Sequence, residues 1–94
     1  MYGIVHYFEG GTQAQYEASV AAVHPAGGLP PGQISHTAGP TDGGWLIVAL
    51  HDSRESWEKF RDEVLMPRMG QGIEGGFTAP PEERTFDVHT RQDA

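Results

Sequence analysis

One stretch, Gly43 to Phe60, restricts the folds open to this chain more than any other. A glycine pair leads into the apolar run Trp45-Leu46-Ile47-Val48-Ala49-Leu50, which ends at His51. A run with β-branched and aromatic members and no alternation reads as a strand buried on both faces. At Asp52-Ser53 the period changes. Asp52 is a helix-capping residue type, and Glu55, three residues later, supplies the reciprocal half of a capping box. Trp57, Phe60, Val64 and Leu65 then recur at helical spacing, one apolar stripe to face a sheet. The middle of the chain is expected to be a central strand feeding a covering helix.

The remaining elements arrange themselves around that unit. Tyr2 to Phe8, aromatic and β-branched, predicts a first strand that ends at Gly10-Gly11. Thr12-Gln13-Ala14-Gln15 is a capping box, and Tyr16, Val20 and Val23 follow at i, i+4 and i+7, predicting a first helix stopped by Pro25 and Gly27-Gly28. Leu29 to Gly32 is a rigid connector. Gln33 to Ala38 reads as a more polar strand, with Ile34, His36 and Ala38 on one side and Gln33, Ser35 and Thr37 on the other. Pro40 to Gly44 turns it into the central strand as a hairpin. Met66-Pro67 marks an expected helix end or kink. Gly70 to Pro81 is too long for a plain connection. It is expected to act as a lid, with Ile73 and Phe77 as its apolar underside. Arg84 to Thr90 alternates and predicts a last strand.

The order β-α-β-β-α-β with right-handed crossovers gives an α+β, ferredoxin-like domain: a four-stranded antiparallel sheet with two helices on one face. Residues 1–94 form one domain, with 2–90 the expected ordered core and 91–94 a tail. Two helices cover one face only, yet the first and third strands are apolar on both. The second face is therefore expected to meet another copy of the same sheet, making a homodimer.

Composition removes several function classes. The net charge of −7 argues against a nucleic-acid partner or an anionic membrane surface. The absence of cysteine excludes a disulfide, a thiol nucleophile and a thiolate metal site. The N-terminus lacks a basic region followed by an apolar segment, and no stretch approaches a membrane span, so the expected location is the cytoplasm. No His-x-His or His-x-x-x-His spacing supports a metal site, and no cofactor is expected.

The chemistry-bearing candidates are the histidines. His36, among small and apolar neighbours, is the first candidate for a general base, because imidazole titrates near neutrality. His51 follows, at the end of the face formed by Trp45, Ile47 and Ala49, where the small Ala49 leaves room for a ligand ring. His6, mid-strand with the parity of Tyr2, Ile4 and Phe8, is a third candidate, or a half-buried histidine with a backbone or dimer partner. Phe60 and Phe77 join Trp45, Ile47 and Ala49 as expected substrate contacts. His24 reads as a helix terminator, His89 beside Asp87 as solvated surface, and Tyr16 as packing with a polar tip.

The element order, the Gly-Gly-Thr before the first helix, and the Trp-bearing strand running through His51-Asp52-Ser53-Arg54-Glu55-Ser56 resemble the dimeric α/β-barrel superfamily. More narrowly, they are similar to its antibiotic-biosynthesis-monooxygenase-like group, over about residues 2 to 90. The resemblance implies sheet-to-sheet dimers with a ligand cleft between sheet and helices. It also implies a small aromatic or polyketide-like substrate, converted by a cofactor-free monooxygenase or cyclase-type enzyme. The alternative is a non-catalytic ligand-binding or sensor domain of the same fold. The cofactor-free oxygenases carry an Asn on the third strand four residues before a Trp. Those positions are Ile47 and His51 here, and the chain has no asparagine.

Overall fold

Aromatic and β-branched residues place Tyr2–Glu9 in strand β1, and a sheet grows on both of its edges. The computed structural model describes residues 1–94. After β1 come α1 (Gln13–Val23), β2 (Gln33–Thr41), β3 (Gly44–His51), α2 (Arg54–Phe60), a π-helical turn (Arg61–Leu65), α3 (Met66–Gln71) and β4 (Glu82–Asp87). The strand order is β2-β3-β1-β4 with every neighbouring pair antiparallel. This is an α+β fold with helices on one face, compatible with the ferredoxin-like arrangement.

The register sorts the side chains. Tyr2, Ile4, His6 and Phe8 lie opposite His51, Ala49, Ile47 and Trp45, and this set faces the helices. Val5, Leu46, Val48 and Leu50 fall on the other face. Nothing in the chain covers that face, and Val48 is 36% exposed. The apolar run was expected to be buried on both sides, but within one chain only its helix side is. Phe86 of β4 also lies there, its ring over Gly3, where an added Cβ would collide with it.

Several local expectations change. The α2 cap is Ser53, not Asp52: its Oγ accepts from the Ser56 N–H at 3.1 Å, so the helix starts one residue late and Glu55 completes no box. The helical arm does not end at Met66-Pro67 but runs on to Gln71. The π turn just before Pro67, in which the Met66 N–H reaches back to the Arg61 carbonyl, opens the ladder where the proline ring and its missing N–H would break a regular helix. On β2, a bulge between Gln33 and Ser35 leaves Ile34 outside the register, 41% exposed, and brings Gln33 to the same side as His36. The β2–β3 hairpin closes tightly through Asp42-Gly43, with Gly43 at φ +79°, a left-handed position that favours glycine. Pro40 is tolerated because β2 is an edge strand. The last strand lies two to three residues earlier than expected.

The packed core is small and one-sided. Tyr2, Ile4, Trp57 and Phe60 form its buried cluster, with Val23, Val64 and Leu65 against it. Helix α1, capped as expected by Thr12 and Gln15, buries only Ser19; Tyr16, Val20 and Val23 are half-buried. The space they face is not filled by the sheet's side chains.

Candidate functional site

A cleft of about 620 Å³ occupies that space, between α1, the helix-facing side of the sheet and the π turn. Its walls are mostly apolar: Ile4 and Phe8 from β1, Ile47 and Ala49 from β3, Val20 from α1 and Phe60 from α2. The segment Phe77–Pro81 forms one rim. Phe77 stacks on Phe8 with ring centres 3.7 Å apart and planes 7° from parallel, and its N–H donates to Ser19 Oγ at 3.2 Å. The expected lid is thus anchored through Phe77 to both β1 and α1, whereas Ile73 does not line the cleft. Concavity, apolar walls and a few convergent polar groups are what a small-molecule site needs.

The polar groups form two poles. At the first, side chains from α1, β2, β3 and α2 make a continuous chain whose direction follows from its far end. Ser56 Oγ donates to the Ser53 carbonyl, which only accepts, at 3.1 Å. Ser56 must therefore donate away and accept from His51 Nδ1 at 3.0 Å. His51 Nε2 is left to accept from the Gln33 amide at 3.2 Å. Gln33 Oε1 accepts from His36 Nδ1 at 3.0 Å, and His36 Nε2 accepts from the Tyr16 hydroxyl at 2.7 Å. Every donor points the same way, so both rings are neutral and carry their proton on Nδ1. Burial favours those states, holding His36 and His51 below the usual imidazole range, with Asp52 opposing it at His51, and pushing the Tyr16 phenol up. His24 stands edge-on to His36, ring centres 4.9 Å apart; burial first, then the charge His36 would carry, lowers it to about 4. This pole is a neutral hydrogen-bonding wall.

The second pole sets a histidine against a carboxylate. His6 Nε2 lies 2.7 Å from Glu83 Oε2, its cross-strand partner on β4, and its ring stands edge-on between Phe8 and Trp57. The ring is nine-tenths buried, while the carboxylate is 41% exposed. Arg61 of the π turn lines the same region.

Of the residues singled out from the sequence, His36, His6, Ile47, Ala49, Phe60 and Phe77 line the cleft together. His51 and Trp45 do not. His51 is completely buried at the back of the polar chain, where it reaches a ligand only through Gln33 and His36. Trp45 lies behind Tyr16, ring centres 5.2 Å apart, and its buried Nε1 has no partner. His89 bonds Thr90 on the surface. Four residues of the two poles are not among the sequence candidates: Gln33 and Glu83, with Tyr16, expected only to pack, and His24, expected only to end α1. Tyr16 and His24 share the face of Val20 and Val23 at i, i+4, i+7 and i+8, a signal that was available. Gln33 is there only because of the bulge, which has no sequence signature. No group of three or more His, Asp or Glu side chains that could hold a metal ion assembles, and no helix is long and apolar enough to cross a membrane. No family model matches the chain, and no curated protein matches it.

Proposed function

We propose that this protein binds a flat, mostly apolar molecule of aromatic or polyketide type in the cleft and converts it without a cofactor, in a monooxygenase- or cyclase-type reaction begun by a histidine base. We also propose that two copies pair through their open sheet faces, as in the dimeric α/β-barrel superfamily. The observation that carries the ligand reading is the cleft itself: apolar side chains of β1, β3 and α1 that would ordinarily close a core line about 620 Å³ of open space. Val5, Val48 and Leu50 on the uncovered face support the dimer. One observation favours the non-catalytic alternative, a ligand-binding or sensor domain: both ring nitrogens of His36 are already engaged.

The test is titration with naphthols, anthraquinones and flavones, followed by tryptophan fluorescence, with light scattering on the same sample. Saturable quenching that Ala49→Leu abolishes, at twice the 10.2 kDa chain mass, is the expected result. No binding across the panel sinks the ligand reading; a monomer sinks the sheet pairing. Binding with no chemical change to any bound compound selects the non-catalytic alternative.

A further inference from the structure

We propose that the general base of this cleft is His6 acting through Nδ1, with Glu83 as its positioning residue, and that His36 is not the base. The inference rests on the ligand reading above and names the group that performs its chemistry. The two poles differ in what they leave free. At His36, Nε2 accepts from Tyr16 and Nδ1 donates to Gln33, so neither nitrogen can take a proton until a bond in the chain breaks. At His6, Nε2 meets the Glu83 carboxylate at 2.7 Å and Nδ1 makes no hydrogen bond. A carboxylate only accepts, so Nε2 carries the proton and the neutral ring keeps its lone pair on Nδ1. His6 lines the cleft, with Phe8 and Trp57 fixing the ring from the sides. A base oriented by a carboxylate on its far nitrogen is the arrangement that makes an imidazole an effective proton acceptor and stabilises the imidazolium that forms. The ligand class is a flat aromatic molecule with an acidic C–H or O–H directed at β1.

Ring opening of nitrobenzisoxazole tests this with a flat aromatic probe that needs only a base. Nδ1 takes the ring C–H proton, the C–H electron pair completes a nitrile, and the N–O bond breaks with its pair left on a phenolate oxygen. The wild-type protein should accelerate the reaction over buffer, and His6→Ala should lower the bound-probe rate by about 10²-fold or more. His89→Ala, at a surface position, should leave it unchanged. In the free wild-type protein, histidine nitrogen NMR should place the proton of neutral His6 on Nε2. Glu83→Gln, at an exposed edge-strand position, should mix the two tautomers because an amide can both donate and accept. A His6 proton on Nδ1 overturns the inference even if His6→Ala fails to fold. So does a bound probe that opens equally fast in wild type and His6→Ala, or only His36→Ala slowing it. If the probe does not bind, the ligand reading falls and this inference with it; binding without His6-dependent opening sinks this inference alone.

Discussion

The two helical arms meet the same sheet in opposite ways. The arm that begins with α2 sends Trp57 and Phe60 into Tyr2 and Ile4, and all four are at least nine-tenths buried. Helix α1 brings Tyr16, Val20 and Val23 to the sheet at helical spacing, yet these residues stop at half-burial and border a cleft. The difference follows from side-chain size and chemistry. Opposite α2 the stripe offers an indole and a phenyl ring, which fill the distance between layers. Opposite α1 it offers two valines, with Ser19 and the Tyr16 phenol, facing Ala49 and Ile47. Apolar side chains thus secure the fold on one side and are left available to a ligand on the other.

Truncating each stripe should separate the two halves most sharply. Trp57→Ala removes a buried ring from the only packed cluster and should cost about 3–5 kcal/mol by chemical denaturation. Val20→Ala, facing open space, should cost about 1 kcal/mol or less. Equal losses would mean that the cleft is filled in solution.

A smaller effect is expected from acid. His24, His36 and His51 are held below their unfolded pKa, so the folded state prefers the neutral rings while the unfolded chain protonates first. Their contribution is complete above the unfolded value of 6.5 and is lost as pH falls from there towards the folded value of about 4 at His24. Because His24 is only half-buried, the loss should be on the order of 1–2 kcal/mol once solvent screening is allowed for. Denaturation midpoints between those pH values should fall in the wild type and fall much less in His24→Gln. A flat wild-type profile would place these rings in water rather than against the polar wall.

The smallest change in stability should come from filling the cleft. Ala49→Leu adds volume to a wall that has room, so its melting temperature should stay within the shift expected for about 1 kcal/mol, while ligand quenching disappears. In a close-packed core the same enlargement typically costs about 1–3 kcal/mol. A large loss of stability at Ala49 would erase the contrast between the two halves.

Much of this was legible in the residues alone. The order of elements, the Thr12–Gln15 box, a hairpin between Pro40 and Gly44 and the Trp57–Phe60 stripe are local: each depends on groups within a few positions of one another, and backbone chemistry acts over that range. Local rules also misplaced the α2 cap, because Asp52 and Ser53 are both capping types and only the backbone at Ser53 decides between them. What needed the tertiary structure were the non-local facts. A single extra residue at Ile34 turned Gln33 towards His36, linking two histidines, His36 and His51, that lie far apart in sequence. The pairing of β1 with β4 set Glu83 against His6 across most of the chain. Whether an apolar stripe closes a core or lines a cleft depends on the sizes of the side chains that meet across the gap, and periodicity carries no information about the opposite wall.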